Sequence, residues 1–220
     1  MLGIIRVLTT SDPDILNRHG KILREHYGYE CASACIPDQP DGVHDDASEA
    51  VAAPKVAALA RELEARGAAA LFISCASDPG LAEARRAVRV PVVGAGAAAA
   101  AVALNLGDRV GVLGIRDEAP RAVARVLGAR LIAAIRPAGV TTTRHLMEPG
   151  GQERALAAAR ELASAGADTI VLACTGLVTI GMAPILQRAL GLPVVDPVLA
   201  GGLMIRYLID EQSRETGGPG

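Results

Sequence analysis

Two stretches of this 220-residue chain repeat nearly the same pattern, and each ends in a cysteine. Gly67-Ala68-Ala69-Ala70-Leu71-Phe72-Ile73-Ser74-Cys75 has its counterpart in Gly166-Ala167-Asp168-Thr169-Ile170-Val171-Leu172-Ala173-Cys174, at an offset of 99 residues. A Pro-Val-Val triplet follows each cysteine, at Pro91-Val92-Val93 and at Pro193-Val194-Val195. Duplicated halves commonly meet across a pseudo-twofold axis, so equivalent residues are expected to face one another over a cleft. Two thiols facing across a cleft can act as acid and base on opposite faces of one carbon. Inverting a stereocentre requires that arrangement.

Short Val- and Ile-rich runs alternate with longer helical patterns, the signature of βαβ units and a parallel sheet. The pattern predicts strands near 2–9, 30–36, 68–75 and 91–94, then near 109–115, 130–136, 168–174 and 192–196. Helices are expected near 13–27, 47–66, 79–88, 96–106, 118–128, 151–165, 182–190 and 198–212. Ala65-Arg66-Gly67-Ala68 and Ser164-Ala165-Gly166-Ala167 read as helix stops with Gly just past the last turn. The expected fold class is therefore α/β: two pseudo-symmetric lobes, 1–95 and 96–196, each a four-stranded mainly parallel sheet flanked by helices, with the active site between them. The segment from Ile36 to Asp46 carries two prolines, a glycine and four aspartates and reads as a surface loop. The polar end of the chain predicts a disordered tail over 213–220.

Composition removes several function classes. The net charge of −2, with scattered basic residues, argues against an electrostatic nucleic-acid binder. Aromatic content of 2%, without Trp and with Phe72 as the one Phe, leaves no base-stacking platform. No uncharged run reaches the roughly 18 residues of a membrane span. The longest candidate, Val90 to Leu106, reads as a buried strand and a buried helix. The apolar start Met1 to Leu8 is interrupted by Arg6 and lacks a basic lead-in, so no secretory signal is read. The expected location is cytoplasmic, with the four cysteines reduced.

Cys75 and Cys174 each end a predicted parallel strand, at the sheet edge where open α/β folds bind ligands. The helix that follows offers unpaired N–H groups and positive dipole charge, expected to lower a thiol pKa from about 8.5 toward neutrality. After Cys75, Asp78 or Ser77 suits a helix cap and Pro79 the first turn. After Cys174, Thr175-Gly176-Leu177 lets a substrate approach backbone amides. A lone strand-end cysteine most often simply packs; two in mirrored positions favour chemistry.

On these residues the chain resembles the Asp/Glu/hydantoin racemase superfamily, most of all its hydantoin racemase branch. Ser74-Cys75-Ala76-Ser77-Asp78-Pro79-Gly80 resembles the branch's Cys-x-x-Asp-Pro, and Leu172-Ala173-Cys174-Thr175-Gly176 its Gly-Cys-Ala/Thr-Gly. Pro193-Val194-Val195-Asp196-Pro197 is similar to the family's closing strand. The resemblance implies a cofactor-independent racemase or epimerase of a hydantoin-, allantoin- or amino-acid-like molecule, with Cys75 and Cys174 as the acid–base pair. It further implies that the C-terminal helix, 197–212, returns to complete the first lobe. One departure stands out: Leu8-Thr9-Thr10-Ser11-Asp12 replaces the branch's Asn-Pro-Asn type loop, which leaves the hydantoin ring open as substrate. The enolate expected as intermediate needs donors aimed at its oxygen. Thr9, Thr10, Ser77, Thr175 and the amides of Ala76 and Gly176 are the candidates.

Other signals are weaker. Cys31 and Cys35, four apart on a predicted strand, have neither Cys-x-x-Cys spacing nor an accompanying zinc cluster, so no metal site is expected. His19 and His26 on the first helix and His44 in the loop read as solvated; His145, after Thr141-Thr142-Thr143-Arg144, reads as cleft-lining. Gly94-x-Gly96 lacks the third glycine of a dinucleotide loop, since position 99 is Ala. Asp196-Pro197 reads as a strand end that caps the last helix. No cofactor is called for, the partner is a small-molecule substrate, and homo-oligomerisation is left open. A decarboxylase or cis–trans isomerase of the same superfamily, or a non-catalytic small-molecule binding protein, are the rival readings.

Overall fold

The computed structural model describes residues 1–216, with side chains placed as far as residue 209. The first half runs β1 (Leu2–Arg6), α1 (Pro13–Tyr27), β2 (Cys31–Cys35), α2 (Asp46–Ala65), β3 (Ala70–Ser74), α3 (Leu81–Ala87) and β4 (Val92–Gly94). Helix α4 (Ala95–Ala103) leads into the second half: β5 (Val110–Leu113), α5 (Arg121–Leu127), β6 (Leu131–Ile135), α6 (Thr143–Leu146) and α7 (Gly151–Ser164). It closes with β7 (Thr169–Leu172), α8 (Thr175–Thr179), α9 (Met182–Leu190), β8 (Val194–Val195) and α10 (Pro197–Thr216). The eight expected strands are present. The one-turn α6 and the short α8 were not expected, being too brief to leave a helical period. Helix α10 continues through 213–216, where a tail was expected; residues 217–220 of that tail lie outside the described residues.

The strands form two four-stranded sheets ordered β2-β1-β3-β4 and β6-β5-β7-β8. Every pairing is parallel, as short strands joined through helices dictate. The central strands β1, β3, β5 and β7 are buried along their whole length, which is why they read as largely apolar runs. Edge strands β2 and β6 are half-buried throughout. The repeat extends to the helix stops. Gly67 (φ 88°) and Gly166 (φ 89°) both take the left-handed conformation after α2 and α7. Each donates its amide back into the helix, to Glu64 O (2.9 Å) and Ala163 O (3.0 Å).

The two sheets meet through α4, which touches β3 and β4 on one side and β7 and β8 on the other. Six of its nine residues are buried Ala or Gly. A Cβ on Gly96 would lie 1.9 Å from Ala76 O, so only glycine allows this helix to approach the Cys75 turn. Helix α10 packs on α1 and α4 and reaches β3 and β4. One apolar cluster accordingly runs from Ile4 and Phe72 through the α4 alanines to Val112 and Ile170.

The Cys75 turn differs from its expected form. Asp78 does not cap its own helix. Its carboxylate accepts from the amides of Gly96 and Ala97, both at 2.8 Å, and so caps α4. Gly80 (φ 66°) stands at the head of α3 instead. Asp196 does cap α10 as its position suggests, accepting from Val198 N (2.7 Å) and Leu199 N (3.1 Å).

Candidate active site

In each sheet the chain order reverses at the central pair, β1 beside β3 and β5 beside β7. Ligands bind at such switch points, outside the carboxyl ends of the strands. Cys75 lies just past β3 and Cys174 just past β7, so both thiols stand at the switch point of their own sheet. They line one cavity, each 7% exposed, together with Arg6 to Leu8 at the end of β1 and Gly114 to Arg116 after β5. Val43, Glu118, Pro120 and Thr143 also line it. The cavity is narrow, with a volume of ≈ 30 Å³, room for about two waters. Arg116, one of the lining residues, bridges to Asp46 and Glu49 at the start of α2, and Arg121 pairs with Asp46 at 2.8 Å.

The thiols ionise less readily than strand-end positions suggest. Burial pushes Cys75 far above the ordinary thiol value, against one amide hydrogen bond from Ser77, and the neighbouring Cys174, Asp78 and Glu49 charges add to the rise. Burial also raises Cys174, opposed by the amides of Gly176 and Leu177, the Thr143 hydroxyl and Arg6. The expectation of thiols lowered toward neutrality is therefore corrected. Burial costs the thiolates more than short helix ends return. Helix α8 has five residues, and α3 begins six positions after Cys75.

Beneath the thiols a buried polar network joins the two segments that carry them. Thr175 donates its hydroxyl to Ser74 O at 3.0 Å, tying the residue after Cys174 to the residue before Cys75. His19 is fully buried, with Nδ1 2.6 Å from Ser74 Oγ and Nε2 3.0 Å from Thr179 Oγ1. Burial and the Arg6 charge hold its imidazole well below the ordinary value, hence neutral at pH 7. Arg6 is 4% exposed and pairs across the sheet with Cys35 and Ser74. Its Nη1 donates to Ile15 O (2.8 Å) and Leu16 O (3.3 Å). Among the described residues no carboxylate lies within ion-pair distance of it.

Of the residues singled out from the sequence, Cys75, Ala76, Ser77, Cys174, Thr175 and Gly176 share this cavity. Thr9 and Thr10 do not. The Thr9 hydroxyl donates to Ile36 O (2.6 Å) and accepts from Gln39 N (2.7 Å), and both threonines face a separate surface groove. His145 is also elsewhere, its Nδ1 3.2 Å from both Thr141 N and Thr141 Oγ1. His19 is buried, not solvated. Sequence reasoning missed Arg6, His19 and Thr143. Two signals were available: a charge interrupting a central strand, and a histidine one turn before the buried Leu23. Among the described residues, no group of three or more His, Cys, Asp or Glu is placed to hold a metal ion, and no helix is long and apolar enough to cross a membrane.

Comparison with known proteins points the same way. Residues 19–203 match the family model described as Asp/Glu/Hydantoin racemase. Hydantoin racemase of Rhizobium meliloti is 32% identical over 197 residues, 86% of this chain and 80% of that protein. Hydantoin racemase of Pseudomonas sp. (strain NS671) is 27% identical over 78% of this chain and 70% of that one. Among solved structures, allantoin racemase from Klebsiella pneumoniae superposes with a TM-score of 0.81 at 25% identity, covering 96% of this chain and 88% of that one.

Proposed function

The chain belongs to the Asp/Glu/hydantoin racemase family and is an isomerase of the racemase kind, and from that premise we propose that Cys75 and Cys174 act as a two-base pair on the α-carbon of a small amino-acid derivative. One thiolate removes the α-proton from one face, and the opposite thiol delivers a proton to the other face. The opposite enantiomer uses the thiols in exchanged roles. No cofactor enters the scheme. The supporting observation is that the two thiols, at equivalent strand ends of two equivalent sheets, line one narrow cavity. Burial fits the chemistry, because a thiolate whose pKa is raised is a stronger base toward a weak carbon acid. The enolate oxygen would take its hydrogen bonds from the rim, where Ser77, Thr143 and Thr175 stand. We assign the lobes as 1–95 with 197–212, and 96–196. The substrate class is hydantoin-, allantoin- or amino-acid-like; a five-membered ring is favoured by the names of the relatives.

Solvent-deuterium incorporation, followed by proton NMR over a panel of hydantoins, allantoin and free amino acids, tests the reading. One class should exchange its α-proton and racemise, and both Cys75→Ser and Cys174→Ser should abolish racemisation. Full turnover in either variant would sink the two-base scheme, and exchange of free amino acids alone would remove the ring.

A further inference from the structure

His19 is fully buried on a helix whose neighbouring Arg18 and Lys21 are exposed, and hydroxyls occupy both of its ring nitrogens. The adjacent Gly20 lets α1 lie close on the first sheet: a Cβ there would come within 3.1 Å of Ser33 Oγ and 3.3 Å of Ile4 Cδ1. Proton positions around the imidazole follow from the donors available. A threonine hydroxyl has one proton. That of Thr179 goes to Thr175 O at 3.3 Å, so toward His19 its oxygen accepts, and Nε2 carries the hydrogen of the 3.0 Å contact. The neutral ring then leaves Nδ1 bare, to accept from the Ser74 hydroxyl at 2.6 Å. Thr175 in turn donates to Ser74 O at 3.0 Å. The four hydrogen bonds close a circuit, from Ser74 to His19, Thr179, Thr175 and back to Ser74. Within it each residue donates once and accepts once.

This circuit passes between the two sheets twice. Ser74 ends β3 and precedes Cys75, whereas Thr175 follows Cys174 and opens α8, and Thr179 closes that helix. Helix α8 is therefore held at both ends from the first sheet's side, at Thr175 by Ser74 O and at Thr179 by His19. Five residues are too few to hold a helix in place without such ties. An apolar side chain at position 19 would fill the space without desolvating polar groups, so packing alone does not call for a histidine. We propose, building on the two-thiol reading, that His19 is a positioning residue that fixes α8, and Cys174 with it, in register against the Cys75 segment. In register, the two thiols address opposite faces of one carbon. His19 does not line the cavity and acts through Ser74 and Thr179. With the register lost, an enolate formed by one thiolate is reprotonated from the side it lost its proton, and exchange proceeds without inversion.

The test follows a single enantiomer of the exchanging substrate in D₂O. It compares inverted product with deuterated substrate of unchanged configuration at early times, by proton NMR and chiral chromatography. His19→Leu should lower the ratio of inversion to retention by about 10- to 10²-fold, with the loss in kcat and KM little changed. Thr179→Val, which removes the acceptor, should act in the same sense, and Thr179→Ser, which keeps the hydroxyl, should restore most of the ratio. Because the four bonds form one unit, adding Thr179→Val to His19→Leu should cost little more than His19→Leu alone. Nitrogen-15 spectra of the full chain should show His19 as the Nε2–H tautomer; the Nδ1–H tautomer overturns the circuit. A folded His19→Leu that melts lower but keeps the wild-type ratio overturns the positioning role. Should His19→Leu fail to fold, the two Thr179 variants decide by the same ratio. Retained turnover in Cys75→Ser or Cys174→Ser sinks the two-thiol reading, whereas loss of racemisation there beside an unmoved ratio in His19→Leu sinks only the role of His19.

Discussion

The two thiol segments occupy equivalent places in equivalent sheets, yet their surroundings diverge within three residues. After β7 the chain turns directly into α8, so Cys174 is followed by amides directed back at its sulfur. After β3 the chain makes a longer turn, with Asp78 at φ 51°, and places a carboxylate beside Cys75 in order to cap α4. Duplication preserved where the sulfurs stand; it did not preserve what stabilises their charge. For chemistry that needs one base and one acid at a time, that divergence is useful, because two identical thiols would compete for the same proton.

The comparison breaks most visibly if one thiol is removed at a time. Cys75→Ser and Cys174→Ser should each lower racemisation by about 10²–10⁴-fold, measured by polarimetry, while Cys31→Ser leaves it nearly unchanged. In D₂O each variant should retain α-proton exchange for one enantiomer only, and the two variants should retain opposite ones. Equal exchange of both enantiomers in both variants would mean that a single base reaches both faces.

Glycine substitutions probe the packing behind the same two segments. Gly96→Ala drives a methyl into Ala76 O beside Cys75, where backbone has no rotamer to yield. A loss of about 3 kcal/mol in urea unfolding is expected. Gly176→Ala, beside Cys174, meets the Thr143 Cγ2 methyl at 2.7 Å, a side chain that can rotate away. There the expected loss is about 1 kcal/mol, with a larger effect on kcat than on stability.

His19 gives a pH signature. Its folded value lies below 6.5, so between that value and 6.5 the unfolded chain binds the extra proton. Stability should therefore be complete above about pH 6.5 and fall as pH drops, by at most about 1.4 kcal/mol per pH unit. Asp78 acts in the opposite sense: burial raises it from 3.8 to about 6, so its contribution declines as pH rises through that range. Comparing wild type with His19→Gln in urea melts isolates the histidine, and the variant should show the shallower acid slope. An unchanged slope would remove His19 from the account.

The smallest effect belongs to the bridge at the cavity wall. Arg116 lines the cavity and joins the β5–α5 turn to Asp46 and Glu49 of α2. Arg116→Met should cost under about 1 kcal/mol of stability. The dependence of KM on salt concentration should flatten in the variant, and an equal salt dependence in both proteins would rule out the bridge as a barrier to entry.

Much of this was legible in the sequence. The repeat gave both sheets, both helix stops and both thiols, because each rests on a local pattern of apolar runs punctuated by glycine. What escaped was set by pairings distant along the chain. His19 looks solvated until Ser74, 55 residues away, and Thr179, 160 residues away, are brought onto it. Thr9 looks available until the loop carrying Ile36 and Gln39 consumes its hydroxyl. Arg6 was visible as an interruption of an apolar run, but its meaning depended on knowing that the strand is central. The direction of the thiol shifts was misread because a helix end is a local feature, whereas burial depends on everything that closes the cavity.

Helix α4 bears on how such a site can change over time. The span between the sheets, and with it the gap across which a substrate must fit, is set by alanine methyls and bare glycine backbone. Such groups possess no torsions to readjust, so the strut cannot be lengthened by a single substitution without dislodging the Cys75 turn. Adaptation to a bulkier substrate would have to proceed through the segments at Val43, Arg116 to Pro120 and Thr143, leaving the reacting centre untouched. A lineage built on this strut can diversify what it accepts while holding constant the reach between its two sulfurs.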